Sequence, residues 1–273
     1  MSLPFLKMHG AGNDFVIFDA RQRPIRLTPQ QVQKIAARNN AVTKGCDQVI
    51  VMEPSAKAGV FMRIYNADGS EVGSCGNATR CVAWLVMDES GNDHCVVQTT
   101  EGLLECTRTG EWLVMVDMGA ARLDAKSIPL AAGIDRKHIP LSYGVLKDGV
   151  AVGMGNPHIV YFVDDAETAD LATYGAIIEE SIAIFPERVN VSAAQVIGPN
   201  RIKLRVWERG AGLTKACGTA ACATLVAAAE QGKTGYAADI DMPGGTLSIE
   251  WRGDGHVLMT GPVEKEFAGV VEL

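Results

Sequence analysis

Two cysteines in this 273-residue chain stand where a thiol can act as an acid or a base. Cys75 and Cys217 each precede a glycine and a run of small residues that reads as a helix start. A thiol there meets unpaired backbone N–H groups and the positive end of the helix macrodipole, both of which favour its thiolate. The surroundings repeat along with the thiols: RIYNADGSEVGSCGNATRC (Arg63 to Cys81) and RVWERGAGLTKACGTAAC (Arg205 to Cys222) share one plan of strand, glycine turn, cysteine and helix start. The offset 217 − 75 = 142 also carries Arg63 to Arg205, Ile64 to Val206, Tyr65 to Trp207 and Gly76 to Gly218. Further out, with slips of one residue, Gly12-Asn13 falls on Gly155-Asn156, Ile35 on Ile177, Gly102 on Gly245 and Gly119 on Gly261. The pattern predicts a duplication that turns two thiols toward one pocket.

Two thiols related by an approximate twofold approach one carbon from opposite faces. One thiolate removes a proton from Cα and the opposite thiol returns one, which inverts the centre. The α-carbanion of an amino acid needs more help than a helix end supplies, about 2 kcal/mol, against roughly 3–4 kcal/mol for an aimed oxyanion donor. The backbone N–H groups of Gly76, Asn77, Gly218 and Thr219 are therefore expected to converge on the α-carboxylate. The repeat is asymmetric where a substrate would be read: Asn66-Ala67 stands against Glu208-Arg209. Arg209 offers a planar fork for a carboxylate and Glu208 an anion for an ammonium. Asn13 and Asn156 serve either as turn formers or as side-chain contacts, His158 beside Asn156 leans towards function, and His9 is assigned a structural role. Cys46, Cys81, Cys95, Cys106 and Cys222 read as core thiols.

To position such residues the chain needs paired strands and two buried helices. A strand from Phe5 breaks at Gly10 to Asp14 and resumes to Asp19. Thr28-Pro29-Gln30-Gln31 has capping-box form and starts a helix with Val32, Ile35 and Ala36 on one face. Strands follow at Val49 to Met52, Phe61 to Tyr65, Val96 to Thr99, Leu103 to Thr107 and Trp112 to Met118. Gly76 to Met87 is apolar on most of its circumference, so it is predicted as a buried helix with a sheet curled around it. The second half repeats the order: strands at Ala151-Val152 and Ile159 to Val163, a helix through Leu171, Tyr174 and Ile178, strands at Val189 to Val191 and Ile202 to Trp207, a buried helix at Ala220 to Ala229, and strands at Thr246 to Trp251 and Val257 to Thr260. Ala120 to Lys147 reads as a linker, and Phe267 to Leu273 as a last strand returning to the first domain. The fold class is α+β with two domains, 1–119 plus 263–273 carrying Cys75 and 120–262 carrying Cys217.

Hydrophobic residues make up 47% and charged residues 21%, as expected of a globular chain. A formal net charge of −7 argues against nucleic-acid binding. No apolar run reaches the length that spans a bilayer, and Lys7 and His9 interrupt any secretory pattern. A cytoplasmic location is expected. Seven cysteines without export do not read as a disulfide framework, and their spacing does not read as a zinc site. No metal or cofactor is expected.

The motifs MHGAGNDF (Met8 to Phe15), NADGSEVGSCGNATRC (Asn66 to Cys81), GNPH (Gly155 to His158), ERVNV (Glu187 to Val191) and ERGAGLTKACGTAACA (Glu208 to Ala223) resemble the motif set of the diaminopimelate epimerase family, in the family's order. The resemblance implies a pyridoxal-independent, two-base interconversion of LL- and meso-diaminopimelate in lysine and peptidoglycan precursor synthesis. It implies two similar domains, each a barrel-like sheet around a central helix, with the active site in the cleft between them, and a homodimer. By position, Cys75 and Cys217 match the acid/base thiols. Asn13, Gln48, Asn66, Asn156, Asn190, Glu208 and Arg209 match substrate contacts, Gly76, Asn77, Gly218 and Thr219 match the carboxylate-binding backbone, and His158 and Glu208 match groups that assist the thiols. Ala78 and Ala220 depart from the family's usual glycines, at helix positions where alanine is favourable. A racemase of histidine or hydroxyproline type would lack the set Asn66, Asn190 and Arg209, and a binding protein on this fold would not need both thiols. Two thiols serving one carbon are also expected to form an inactivating disulfide under oxidation.

Overall fold

The computed structural model describes residues 2–272. Ser2–Gly10 (β1) and Asn13–Asp19 (β2) form an antiparallel hairpin through Ala11 and Gly12, with φ of 53° and 75°. Two successive positive-φ residues give the turn whose twist matches that of paired strands. The turn brings Asn13 to the end of the hairpin, opposite Gly10. Pro29–Ala36 (α1) carries the expected capping box between Thr28 and Gln31 and buries Val32, Ile35 and Ala36; such a cap contributes about 1 kcal/mol.

The first half continues with Gln48–Glu53 (β3), Val60–Asn66 (β4), Glu71–Val72 (β5), Gly76–Ser90 (α2), His94–Thr99 (β6), Gly102–Gly110 (β7) and Leu113–Ala120 (β8). The second half contains Val150–Gly153 (β9), Pro157–Phe162 (β10), Leu171–Glu179 (α3), Asn190–Gly198 (β11), Arg201–Glu208 (β12), Gly212–Thr214 (β13), Gly218–Glu230 (α4), Ala237–Met242 (β14), Gly245–Trp251 (β15) and His256–Pro262 (β16), and Glu264–Glu272 (β17) ends the described chain. Two compact units result, Met1–Asp117 with Thr260–Leu273 and Met118–Met259.

The pairing scheme is the same in both units. β2 runs parallel to β3 as β10 runs parallel to β11, with Phe15 opposite Gln48 and His158 opposite Asn190. β3 and β4 are antiparallel, as are β11 and β12. β4 is parallel to β6 and β12 to β14, across the two buried helices. Gly102 and Gly245 open the matching return strands with φ of 144° and 147°, a conformation that favours glycine. Each sheet curls around one helix: α2 packs on β1, β4, β6 and β7, and α4 on β9, β10, β11, β14 and β15. Ala220, Ala221, Ala223, Ala227 and Ala228 are fully buried in α4, where small side chains let strands approach on every side. The architecture is the expected α+β repeat.

Three details differ from the sequence reading. β14 was not anticipated, because its sequence, AADIDM, has only Ile240 and Met242 as large apolar residues. The stretch Ala120 to Lys147 does more than link, since Ile128, Ile139 and Leu146 are buried in the core of the second unit beneath α3 and β11. Ile177 does not occupy the place of Ile35. It is 46% exposed while Ile178 is fully buried, so α3 is shifted by one residue relative to α1. β17 pairs antiparallel with β1 from Ser2↔Glu272 to His9↔Glu264, and this return brings His9 Nε2 to 3.2 Å from the Glu264 carboxylate. Among the described residues, no helix is long and apolar enough to cross a membrane.

Candidate active site

Each buried helix begins at a cysteine. Cys75 and Cys217 occupy the N-cap positions of α2 and α4 in extended conformation, and neither side chain caps its helix. By contrast, Thr28 caps α1 and Asp170 caps α3, donors being satisfied there at Gln31 N and Thr173 N. The first N–H groups of α2 and α4 have no carbonyl partner within the helix. An anion can take them at both cysteine helices, and the macrodipoles add to its binding.

In the first unit the thiol faces an asparagine. Cys75 Sγ lies 3.7 Å from Asn13 Oδ1, which also accepts from Asn77 Nδ2 at 3.3 Å. Asn13 Nδ2 donates to Asp47 Oδ2 at 2.9 Å. Gln48, opposite Asn66 in the β3–β4 pair, donates to Asn66 Oδ1 at 3.1 Å. Gln48 Oε1 and Asn77 Oδ1 are buried acceptors without a hydrogen-bond partner. Unsatisfied buried acceptors are uncommon and mark places where a donor from a ligand is expected.

The second unit builds an equivalent cluster from different chemistry. Cys217 Sγ lies 3.5 Å from Thr219 Oγ1, which accepts from Asn156 Nδ2 at 3.4 Å. Asn156 Oδ1 lies 2.8 Å from His158 Nε2. His158 is fully buried, its Nδ1 has no partner, and burial reinforced by the Arg209 charge pushes its pKa down to about 3. The imidazole is therefore neutral, with Nε2–H donating to Asn156. Asn190 fixes the Glu208-Arg209 turn: its Nδ2 donates to Pro157 O at 2.9 Å and its Oδ1 accepts from Arg209 N at 3.0 Å. Arg209 Nη1 donates to Glu187 O at 2.6 Å, and Glu208 accepts from Thr214 Oγ1.

The expectation that a helix start favours the thiolate fails at Cys217. Burial, followed by the adjacent Glu208 carboxylate, holds this thiol well above its ordinary range, against the smaller opposing pull of Thr219 and Ala220 N–H. Desolvation of a buried anion outweighs one helix end. Cys217 consequently rests as a thiol with Glu208 beside it, a carboxylate able to take up its proton. Cys46 and Cys81 are core thiols, pushed up to about 12 chiefly by burial. None of the seven cysteines is in a disulfide.

The predicted residues thus assemble within their own units. In the first unit Asn13 meets Cys75 and Asn77, and Gln48 pairs with Asn66. In the second Thr219 and Glu208 lie beside Cys217, Asn156 and His158 follow behind Thr219, and Asn190 holds the Arg209 backbone. Gly76 and Gly218 are the first residues of α2 and α4. Two residues were missed. Asp47 anchors Asn13, its only signal being its place beside Gln48. Glu179, 4% exposed, accepts from Trp207 Nε1 at 2.7 Å and Gly210 N at 2.8 Å and pairs with Arg188, so it braces both ends of the Glu208-Arg209 turn. A helix-terminal acid reads from sequence as a solvated charge, and only its tertiary position shows otherwise.

Residues 5–123 and 150–266 match the sequence model of the family described as diaminopimelate epimerase. A diaminopimelate epimerase of Rhodospirillum centenum is 57% identical over 97% of this chain and 91% of its own, and one of Phenylobacterium zucineum is 52% identical over 98% of each. Among solved structures, a phenazine biosynthesis protein of the PhzF family from Bacillus anthracis superposes with a TM-score of 0.71 at 14% identity, covering all of both chains. A hydroxyproline epimerase from Agrobacterium vitis gives 0.66 at 12% identity, over 100% of this chain and 93% of the other. At those identities the structures share the fold. The family match across both repeats, with relatives more than half identical along nearly the whole length, places the chain in the diaminopimelate epimerase family.

Proposed function

We propose that the chain interconverts LL- and meso-2,6-diaminopimelate without pyridoxal, with Cys75 and Cys217 as the two acid/base groups. The observation that carries this reading is the pair of uncapped helices, each opening on a cysteine at equivalent positions of the repeat. One thiolate takes the α-proton while the opposite thiol delivers one to the other face, so the centre inverts and the two thiols exchange protonation states. The backbone N–H groups at Gly76, Asn77, Gly218 and Thr219 bind the α-carboxylate and stabilise its enolate character as the proton leaves. Gln48 Oε1, Asn77 Oδ1 and His158 Nδ1, buried and unpartnered, supply acceptors for the substrate's ammonium groups. Arg209 and Glu208 read the distal carboxylate and ammonium, supported by Asn66 and Asn190. Glu208 beside Cys217 takes the thiol proton when that cysteine must act as base. A cytoplasmic homodimer acting in lysine and peptidoglycan precursor synthesis completes the reading.

Proton NMR in D₂O with LL-diaminopimelate tests it. Reduced wild type is expected to lose the substrate α-proton signal as the meso form appears, and Cys75→Ser and Cys217→Ser each to slow this by at least about a thousandfold. Epimerisation at near wild-type rate in either variant sinks the two-thiol mechanism. Light scattering of the purified chain decides the dimer.

A further inference from the structure

Asn13 and Asn156 occupy equivalent places at the start of the second strand of each repeat, Asn13 as the first residue of β2 and Asn156 just before β10, yet their amides are turned opposite ways. Asn13 presents its oxygen to Cys75 Sγ and to Asn77 Nδ2. Asn156 presents its NH₂ group to Thr219 Oγ1, the hydroxyl that neighbours Cys217 Sγ. The two ends of a carboxamide have almost the same shape, so something outside the amide must choose between them.

The chooser differs in the two units. An ionised carboxylate has only acceptors. Asp47 Oδ2, 2.9 Å from the Asn13 amide, therefore requires NH₂ on its own side and leaves Oδ1 for the thiol. In the second unit Asn156 Oδ1 lies 2.8 Å from His158 Nε2, a pairing in which that ring nitrogen donates, while Asn156 Nδ2 is turned to Thr219 Oγ1. Neither chooser has a counterpart in the other repeat. By strand register Gln48 matches Asn190 and Phe15 matches His158, so Val189 stands at the place of Asp47 and Phe15 at that of His158.

Asp47 is itself held in place. Its Oδ2 accepts a second bond from Asp14 N at 3.1 Å, and Oδ1 pairs with Arg38, whose guanidinium also grips Asp14 at 2.6 and 2.9 Å. Asp14 pairs in turn with the buried Lys7. The Asp47 side chain remains 43% exposed, so an isosteric change there leaves the core undisturbed.

We infer that Asp47 is a positioning residue for Cys75: acting through Asn13, it aims a hydrogen-bond acceptor at that thiol, while His158 aims a donor at the Cys217 side. The inference rests on the reading of Cys75 as an acid/base group. An acceptor stabilises the protonated form of Cys75 and fixes the direction of its S–H, so the hydrogen bonding offered to the two thiols is made unequal by residues outside the repeat pattern. With asparagine at position 47, the Asn13 amide is free to turn its NH₂ toward the sulfur. That arrangement disfavours the thiol and favours the thiolate.

Asp47→Asn, Asn13→Ala and the double variant test this in the full-length chain. Asp47→Asn is expected to lower kcat for LL-diaminopimelate by about tenfold with KM within about twofold. Iodoacetamide alkylation of Cys75 at neutral pH, read by mass spectrometry with Cys217 as internal standard, is expected to quicken by at least about threefold. In the Asn13→Ala background the Asp47 substitution should have no further effect on either quantity, which a merely structural contribution would not reproduce. An unchanged Cys75-to-Cys217 alkylation ratio in Asp47→Asn, or an equal effect in the Asn13→Ala background, overturns the inference. A wild type that does not epimerise, or a Cys75→Ser variant that does, removes the catalytic reading instead, and the alkylation cycle then decides the role of Asp47 by itself.

Discussion

Burial sets the protonation of the residues around Cys217, and two outcomes follow at single positions. The unfolded chain takes up a proton on His158 near the ordinary histidine pKa of about 6.5, whereas the folded chain refuses it down to about pH 3. Stability is therefore lost as pH falls through that window, by up to about 1.4 kcal/mol per pH unit from this side chain. Denaturant titrations between pH 7 and pH 4 should show a steep acid-side slope that His158→Gln flattens; equal slopes in the two proteins would refute the neutral imidazole. At Cys217 the Glu208 charge adds to desolvation in keeping the thiol protonated. Glu208→Gln removes the charge but keeps the acceptor for Thr214, so the alkylation pH profile of Cys217 should move to lower pH while epimerase activity falls. A profile that stays put or moves up contradicts a carboxylate acting on that sulfur.

At the scale of elements, α3 and β12 meet so closely that one hydrogen atom decides the contact. A Cβ at Gly175 would lie 2.5 Å from the Trp207 ring, and the ring cannot retreat without dragging Glu208 along the strand. Gly175→Ala is expected to destabilise by about 1–3 kcal/mol and to reduce activity beyond what the lost folded population explains; a melting temperature and kcat both like wild type would show that the contact is soft. Much of this level was legible in the sequence. The capping box named the start of α1, the offset between the cysteines named the equivalence of α2 and α4, and Asn66 against Glu208 named the asymmetry of the site. What escaped lies where local pattern and tertiary role part company. Asp47 and Glu179 stand out in no sequence pattern, because nothing in neighbouring residues shows what a carboxylate will meet across the fold. Ile128, Ile139 and Leu146 are spaced too widely for helix or strand periodicity, yet they seal a core. The thiolate expected at Cys217 failed because sequence shows a helix start but not how much water is excluded from it.

At the scale of the molecule, the first unit is discontinuous. Its strand β1 is flanked by β2 on one side and by β17, from the other end of the described chain, on the other. Removing residues 264–272 should leave β1 with an unpaired edge and open the cluster in which Phe5 and Val271 are buried. Hydrogen exchange is expected to show loss of protection across β1 and β2 with β9 to β15 unaffected; retained protection in β1 would mean that β17 merely decorates the sheet. The same strand imposes an order on synthesis. A ribosome delivers residues 118–259 as one uninterrupted block, so the second unit is complete while the first still waits for the strand that closes it. The unit begun first is thus the last to finish, and its open β1 edge is the place where a nascent chain needs shielding until β17 emerges.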